Sequence, residues 1–361
     1  MTSDRDSGAR FGSGPSASAD ALPRIDADRC VHALCATATC RACVTACPRG
    51  AWVIDDAALG FDAEACDGCG VCRPACPEAA IGFAPGAFEP LVEGVGKTAL
   101  LACEAAGVSA GRGVVACLHA VGERELGSLR RRGVELLVTA AVDCTRCRRN
   151  TARKVSDAVA RLGVMLSSRA QAPLRHVELG VADWARRRDL AAAAGPPVDH
   201  GRRALFGLGR ARSADAPGGV APAPAAERSD AIFRHVPEID AETCTGCDAC
   251  ARICPHGAIR LARGSEGLLG YRFDAANCTG CRLCIDVCEV GAVRVDELRS
   301  VTSATLYLDE LQCHRCGVPF HRPMRAAADD TAAAAGAGAQ PVCTICRRTD
   351  HTRNLFQVHK S

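Results

Sequence analysis

The chain has 361 residues, of which 25 are cysteine and only thirteen are aromatic. This cysteine content approaches that of proteins whose folds are held together by their cysteines, and large side chains are scarce, so a single large hydrophobic core is not expected. The net charge of +3 is too small to indicate a nucleic-acid partner, and no apolar stretch is long enough to predict a transmembrane helix.

Residues 1–22 are polar and rich in Gly, Ser and Asp, without the apolar segment that an export signal contains. This composition predicts a disordered tail and a cytoplasmic protein. A reducing compartment disfavours disulfides and favours metal sites that are held by thiolates. The cysteines are therefore candidate metal ligands.

Residues 23–90 contain two groups of cysteines. The second group has the spacing C-x2-C-x2-C-x3-C and consists of Cys66, Cys69, Cys72 and Cys76. This spacing is typical of a loop that binds a cubane [4Fe–4S] cluster, because three closely spaced thiolates reach one cluster and the fourth reaches a neighbouring cluster. A zinc ribbon uses two separate CxxC pairs instead, so the run indicates iron and sulfur rather than zinc.

The first group departs from this spacing, although it ends regularly with Cys40, Cys43 and Cys47. The expected position of its first ligand is Thr37, whose side chain cannot take that role. Cys35 is the nearest cysteine, whereas Cys30 follows Ile25-Asp26 at the offset at which Cys66 follows Phe61-Asp62. The offset favours Cys30, with a loop inserted before Cys40, and Cys35 remains the alternative.

With these motifs, residues 23–90 resemble a bacterial ferredoxin with two [4Fe–4S] clusters. The resemblance implies crossed ligation, in which the last cysteine of each run binds the cluster of the other run. The implied ligand sets are Cys30, Cys40, Cys43 and Cys76 for one cluster, and Cys66, Cys69, Cys72 and Cys47 for the other.

Residues 91–194 alternate short apolar strands with amphipathic helices, which predicts a small α/β domain with a parallel sheet. The predicted strands are Thr98–Ala102, Gly113–Ala116, Val134–Val138 and His176–Leu179, and the predicted helices are Gly122–Arg131 and Thr151–Leu162. Gly94–Thr98 ends like a phosphate-binding loop, but the required earlier glycine falls on Leu91, and a strand follows where a helix is needed. No nucleotide site is predicted.

Four cysteines of this segment follow predicted strands: Cys103, Cys117, Cys144 and Cys147. Open α/β sheets place ligands beyond the carboxyl ends of their strands, so we expect one site there. Its occupant is a [2Fe–2S] cluster, a [4Fe–4S] cluster or zinc, and the alternative is four unliganded small residues. The flanking arginines Arg146, Arg148 and Arg149 are expected to stabilise thiolate charge or to contact an acidic partner. The arrangement loosely resembles the delta subunit of heterodisulfide-reductase-linked hydrogenases, which implies a [2Fe–2S] cluster.

Residues 195–233 are rich in Pro, Ala, Gly and Arg, which predicts a flexible linker. Residues 234–298 then carry the regular cysteine spacing twice, so they too resemble a two-cluster ferredoxin. The implied crossed sets are Cys244, Cys247 and Cys250 with Cys288, and Cys278, Cys281 and Cys284 with Cys254.

Residues 299–361 contain two CxxC pairs, Cys313 with Cys316 and Cys343 with Cys346, around an Ala- and Gly-rich insertion at 328–341 that is expected to be disordered. Two such pairs predict a zinc-ribbon-like knuckle with tetrahedral zinc, and rubredoxin-type iron is the alternative. His314 and His321 are not expected to be ligands, because four thiolates already complete the site.

The predicted fold is therefore α+β and multi-domain: two ferredoxin-like dicluster domains, a small α/β parallel-sheet domain between them and a C-terminal zinc-ribbon-like knuckle. About four [4Fe–4S] clusters in one chain predict an electron-transfer protein, or the electron-transfer subunit of a redox complex, with redox proteins as partners and no catalytic residue assigned. The alternative is a redox enzyme that acts on a thiol or disulfide substrate through the cysteines of the middle segment. Nucleic acid is not an expected partner.

Overall fold

The computed structural model describes residues 22–55, 58–93, 96–193, 230–324 and 340–348. The predicted tail, linker and C-terminal insertion lie almost entirely outside these residues. The described residues form two compact units, one built mainly from 41–163 and the other mainly from 230–348, and the segment Cys35–Cys40 groups with the second unit.

The ferredoxin-like part of the first unit is made of very short elements. Strand β1 (Arg24–Ile25) pairs antiparallel with β4 (Ile81–Gly82), and β2 (Trp52–Asp55) pairs with β3 (Ala58–Phe61). The helices are α1 (Val31–Leu34), α2 (Ala42–Ala46) and α3 (Cys72–Ala75). Their core combines cysteines with apolar side chains, namely Cys43 and Cys72 with Trp52 and Ile81. Cysteines thus occupy positions that large apolar side chains fill in most cores.

The α/β part of the first unit is a five-stranded sheet. Its strands are β5 (Leu91–Glu93), β6 (Thr98–Cys103), β7 (Val114–Val115), β8 (Leu136–Ala140) and β9 (Arg175–Leu179). The strand order is β5-β6-β8-β9, and β7 pairs with β6. The pairings of β6 with β7 and β8, and of β8 with β9, are parallel, in agreement with the predicted sheet, whereas β5 is an antiparallel edge strand that was not predicted.

The helices of this part are α4 (Glu123–Arg131), α5 (Val155–Ser167) and α6 (Val181–Ala193). Helix α5 begins four residues after its predicted start, because the preceding residues are held by contacts with the ferredoxin-like part: Arg153 Nη2 donates to the carbonyl of Pro74 at 3.3 Å. The sequence analysis did not predict α6. The helix is anchored by the fully buried Trp184, whose Nε1 donates to the carbonyl of Val138 at 3.3 Å.

The second unit contains two antiparallel strand pairs and two short helices. Strand β10 (Ile232–Ile239) pairs with β13 (Val293–Ser300), and β11 (Ile259–Arg263) pairs with β12 (Leu269–Phe273). The helices are α7 (Ala249–Ile253) and α8 (Leu283–Asp286). Strand β10 begins inside the predicted linker, because its backbone completes a ladder with β13.

The C-terminal segment continues the sheet of the second unit. Strand β14 (Thr305–Gln312) pairs with β12 on one side and with β15 (Pro319–Pro323) on the other, which gives the order β11-β12-β14-β15. Helix α9 (Thr344–Arg348) follows. The two CxxC pairs predict a separate knuckle at 299–361, but strand pairing joins the hairpin of this segment to the ferredoxin-like strands. Among the described helices, none is long and apolar enough to cross a membrane.

Candidate metal centres

One backbone hydrogen bond recurs at all four ferredoxin-like cysteine loops. The donor is the N–H of an aspartate that lies four residues before the first cysteine of a loop. The acceptor is the carbonyl of an alanine that lies four residues after the last cysteine of the paired loop. The bonds are Asp26 to Ala80 at 2.8 Å, Asp62 to Ala51 at 2.8 Å, Asp240 to Ala292 at 2.8 Å and Asp274 to Ala258 at 2.9 Å. Each bond fixes the end of one loop beside the start of the other, which is the arrangement that crossed ligation requires.

The last cysteine of each loop accepts a backbone N–H bond at its sulfur. The donors are Ala51 to Cys47 at 3.4 Å, Ala80 to Cys76 at 3.3 Å, Ala258 to Cys254 at 3.2 Å and Ala292 to Cys288 at 3.2 Å. The residue before each donor has positive φ, between 49° and 66°, and these residues are Gly50, Ala79, Gly257 and Gly291. This left-handed residue turns the chain so that the N–H points at the sulfur, where it stabilises a thiolate.

In the first unit, one predicted crossed set lines a single small cavity: Cys47, Cys66, Cys69 and Cys72. Trp52 and Phe83 also line this cavity, and the side chain of Trp52 hydrogen-bonds the sulfur of Cys72. Burial raises the pKa of Cys69 to about 12 and also raises the pKa of Cys72, and the neighbouring thiols, Cys47 included, add to both shifts. A bound metal would keep these sulfurs as thiolates at neutral pH.

The second unit gathers two more crossed sets in two cavities. Cys244, Cys247, Cys250 and Cys288 line one of them, and Cys254, Cys278, Cys281 and Cys284 line the other. Burial raises the pKa of Cys250 to about 12 and raises that of Cys284, with further increases from the thiols of the same set. The structure thus brings together three of the four predicted ligand sets, and each combines sulfurs from both loops of a pair.

The three regular loops share a backbone conformation that the first loop lacks. The residues two and four positions after the first cysteine have positive φ in each: Gly68 and Gly70, Gly246 and Asp248, Gly280 and Arg282. In the first loop the position that corresponds to Asp248 is Arg41, whose φ is −126°. The residues inserted before Cys40 therefore change the course of the loop and not only its length.

Cys30 occupies the structural position of a first ligand. It ends a short 3₁₀ turn at Ala27–Arg29, and its N–H donates to the carbonyl of Ala27 at 3.0 Å. Cys278 ends the equivalent turn and donates to the carbonyl of Ala275 at 3.2 Å. Cys35 lies beyond α1, with its Sγ 3.1 Å from Oγ1 of Thr37. Local geometry therefore supports Cys30.

Of the other three cysteines in the first set, two share a core and one does not. Cys43 is buried in the core of the ferredoxin-like part, and Cys76 packs against the same core. Cys40 lies in the segment that groups with the second unit. Its participation in this set remains a prediction.

The four cysteines of the middle segment follow the carboxyl ends of strands: Cys103 ends β6, Cys117 follows β7, and Cys144 and Cys147 follow β8. Cys103 and Cys117 are buried, and Cys144 and Cys147 are half-buried. Burial raises the pKa of Cys117 to about 11, and the thiols of Cys103 and Cys147 raise it further. The pKa of Cys144 is also raised, first by burial and then by these same two thiols. Each sulfur therefore lies within electrostatic reach of at least two others.

Arg149 connects this group with a ferredoxin-like loop. Its Nε and Nη2 donate to Oδ2 and to the carbonyl of Asp67 at 3.0 and 2.9 Å, and its Nη1 donates to the carbonyl of Ala116 at 2.6 Å. Burial opposes its charge, but hydrogen bonds to Glu104 and Asp67 outweigh that effect and raise its pKa, so the guanidinium stays cationic. The sequence predicted an arginine beside these thiols, but no local signal identified Asp67 as its partner.

The middle group also adjoins the first unit's crossed set directly. Cys117 shares a buried cluster with Cys69, Ala46 and Val71. The thiol of Cys117 contributes to the raised pKa of Cys69. Two predicted metal sites of the first unit are therefore neighbours.

The C-terminal thiols Cys313, Cys316, Cys343 and Cys346 form a tight group, with all Sγ atoms within 4.8 Å of one another. The sulfurs of Cys316 and Cys343 are 3.9 Å apart, close to the separation of about 3.8 Å that a tetrahedral ion with bonds of about 2.3 Å requires. The N–H of Cys343 donates to Cys313 Sγ at 3.3 Å and lowers the pKa of that thiol to about 6, whereas burial raises the pKa of Cys346 to about 12. The donor set fits a single metal ion.

Strand β15 packs on the loop of the second unit that begins at Cys244. His321 Nε2 and the hydroxyl of Tyr271 each lie 2.7 Å from Oδ1 of the buried Asp248. A Cβ atom on Gly246 would lie 2.3 Å from the carbonyl oxygen of His321. The histidine therefore braces a cysteine loop.

Comparison with known families supports the iron–sulfur assignment. The model of the 4Fe-4S binding domain matches residues 59–82, 237–260 and 271–294. The chain therefore contains ferredoxin-like iron–sulfur domains, and [4Fe–4S] clusters are its cofactors. The loop that starts at Cys30 lies outside the matched residues, where its backbone also differs from the other three. No curated protein matches the chain.

Proposed function

We propose that the chain is an electron-transfer protein, or the electron-transfer subunit of a redox complex, and that it carries about four [4Fe–4S] clusters in two crossed pairs. The observation that carries this proposal is the hydrogen bond from aspartate N–H to alanine carbonyl, which recurs at all four loops. Such a cluster supplies one-electron redox chemistry when bound. A purely structural role would need only one cluster per domain, so four clusters in one chain favour electron transfer.

For the fourth cluster we propose the ligands Cys30, Cys40, Cys43 and Cys76. The register of Asp26 with Ala80 supports Cys30 and Cys76, because the same bond flanks each of the three sets that line a cavity. Cys35 is then the cysteine without a metal.

The protein's own residues tune the proposed clusters in two ways. Backbone N–H groups at the last cysteine of each loop stabilise the more negative, reduced state. Apolar walls, such as Phe83 in the first unit and Val293 in the second, limit water at the sulfurs and so oppose added negative charge. The balance of these effects sets which cluster accepts an electron first.

The middle cysteines are proposed to hold a further cluster, of the [2Fe–2S] type that the family resemblance implies. Two observations support this proposal: the four cysteines follow the ends of neighbouring strands, and Cys117 packs against Cys69. Direct contact between ligands of two sites gives electrons a short route within the first unit. The C-terminal thiols are proposed to hold zinc, which has no redox chemistry and would stabilise the fold.

An electron-delivery experiment tests the proposal. The chain is reconstituted anaerobically, reduced with an excess of a low-potential reductant, freed of that reductant and mixed with oxidised cytochrome c. We expect about four electrons per chain from the cubanes, together with loss of the EPR signal of the reduced clusters. A chain that takes up iron but shows no reducible EPR signal and delivers no electrons would have structural clusters only, and electron transfer would be rejected.

A further inference from the structure

The first unit contains a cleft of about 650 Å³ in which arginine predominates. Six arginines line it: Arg24, Arg29, Arg73, Arg124, Arg131 and Arg132. The carboxylates that line the same cleft are Asp26, Glu89 and Glu125. The cleft therefore has an excess of positive charge, and its volume falls within the range of roughly 300–1,000 Å³ that is usual for small-molecule sites.

Part of this charge is already neutralised within the protein. Arg73 pairs with Glu125 at 3.0 Å, and its guanidinium lies 5.4 Å from the centre of the Phe88 ring. Glu125 also accepts the N–H of Gly122 at 2.9 Å, as part of the N-terminal cap of α4. These residues form a fixed wall of the cleft and do not need a ligand.

Nη1 of Arg73 also lacks a hydrogen bond of good geometry, but Glu125 pairs with its charge. In Arg29, two atoms, Nε and Nη2, are buried and have no hydrogen-bond partner among the residues that the structure describes. These two atoms form the fork that binds carboxylate or phosphate oxygens in pairs. Buried donors without partners are unfavourable, so an oxyanion that meets Arg29 once its side chain turns toward the cleft relieves a cost that the free protein carries.

The rest of the wall is apolar and aromatic. Phe83 and Phe88 meet edge to face with ring centres 5.3 Å apart, and Leu101 and Val121 also line the cleft. An ion without an organic part would leave this wall in contact with water. Because an oxyanion fork and an apolar wall share one cleft, we infer that it binds a small organic anion, with an aromatic or aliphatic body and a phosphate or carboxylate group at Arg29.

This inference is independent of electron transfer, because binding is measured directly and does not require redox activity. Isothermal titration of the reconstituted full-length chain, at constant ionic strength, uses three probes: phenyl phosphate, phthalate and inorganic phosphate. We expect one saturable site for at least one aromatic anion, and binding of inorganic phosphate at least about 10-fold weaker, because it lacks an apolar body. The tighter of the two aromatic anions shows whether the natural ligand is a phosphate ester or a carboxylate.

Variants locate the site. Arg29→Gln removes the fork and is expected to weaken binding of the preferred aromatic anion at least about 10-fold, and Arg29→Lys, which keeps only the charge, by an intermediate factor. Arg112→Gln is the control, since Arg112 is an exposed arginine of the same unit outside the cleft. If Arg29→Gln fails to take up iron, Arg124→Gln replaces it and is expected to weaken binding measurably. No saturable binding to the unmodified chain would overturn the inference, as would equal effects of the cleft variant and the control.

Discussion

At the scale of single residues, Arg149 links two sites that lie far apart in the sequence. The side chain of Arg149 is only 12% exposed and that of its partner Asp67 is 9% exposed. Each buried charge is therefore stabilised mainly by the other. Arg148 also approaches Asp67, at 3.6 Å, but is 51% exposed. The two adjacent arginines therefore form a matched pair for mutation.

Arg149→Met is expected to lower the free energy of unfolding by about 3 kcal/mol, because it leaves the carboxylate of Asp67 buried without its main partner. Arg148→Met should cost less than about 1 kcal/mol, since exposed ion pairs contribute little. Denaturant unfolding under anaerobic conditions compares the two variants. Equal costs would show that the buried bonds of Arg149 are not what stabilises this junction.

The choice between Cys30 and Cys35 is decided by iron content. Cys30→Ser should lose one cluster, which is about four iron atoms per chain, because Cys30 holds the position of a first ligand. Cys35→Ser should keep the full content and serves as the control. Iron analysis of both variants, reconstituted side by side, reads the result directly. Iron loss in Cys35→Ser alone would reverse the assignment.

At the scale of elements, the hairpin of β14 and β15 is expected to support a cysteine loop. Gly246 and Gly267 both have positive φ, 75° and 79°, but a Cβ on Gly246 would meet the backbone of β15, whereas nothing lies within 4 Å of a Cβ on Gly267. Gly246→Ala should therefore lower the free energy of unfolding by about 3 kcal/mol or more, and Gly267→Ala by about 1 kcal/mol. Thermal unfolding of the reconstituted variants measures the difference. Similar losses would mean that β15 does not press on the loop in solution.

His176 on β9 makes the stability of the α/β sheet depend on pH. Its Nε2 lies 2.9 Å from Oγ1 of the fully buried Thr139, and burial lowers its pKa. In the unfolded chain His176 binds a proton near pH 6.5, whereas in the folded chain it does so only at lower pH. The contribution of the neutral histidine to the free energy of unfolding is therefore fully present above pH 6.5 and decreases as the pH falls toward the lowered pKa. Replacement by glutamine should flatten this loss. Unfolding of both proteins between pH 8 and pH 5.5 gives the difference, and parallel pH profiles would contradict the assignment.

The sequence predicts elements where local pattern decides and fails where distant partners decide. The parallel strands β6 and β8 follow from apolar runs between helices, and the grouping of Cys103, Cys117, Cys144 and Cys147 follows from where those strands end. The pairing of β14 with β12 does not follow, because it depends on an edge strand in a different repeat. Helix α6 carries charged and small residues around a single anchor, Trp184, so its pattern gives a weak signal.

The candidate sites follow the same rule. Cysteine spacing predicted the crossed sets, and three of them line cavities in the structure. Spacing could not identify Asp67 as the partner of Arg149 or show that Asp248 is braced by His321, because these contacts join segments tens of residues apart. It also could not reveal the arginine-lined cleft, since its six arginines come from three separate stretches of chain.

At the scale of the whole molecule, the central claim is that thiolate-bound clusters, rather than large side chains, organise most of the fold. The scarcity of aromatic residues and the presence of cysteines in the cores are consistent with it. Removal of metal should therefore unfold much of the chain, since the free energy of metal binding contributes directly to folding.

Quantification of iron, acid-labile sulfide and zinc in the anaerobically reconstituted chain tests most directly whether the chain holds the four cubanes on which this claim depends. Four cubanes predict about 16 iron and 16 sulfide atoms per chain, with about two more of each if the middle site holds a [2Fe–2S] cluster, and about one zinc. About 14 iron atoms per chain or fewer, which is what three cubanes with or without a [2Fe–2S] cluster would give, would contradict the claim of four cubanes.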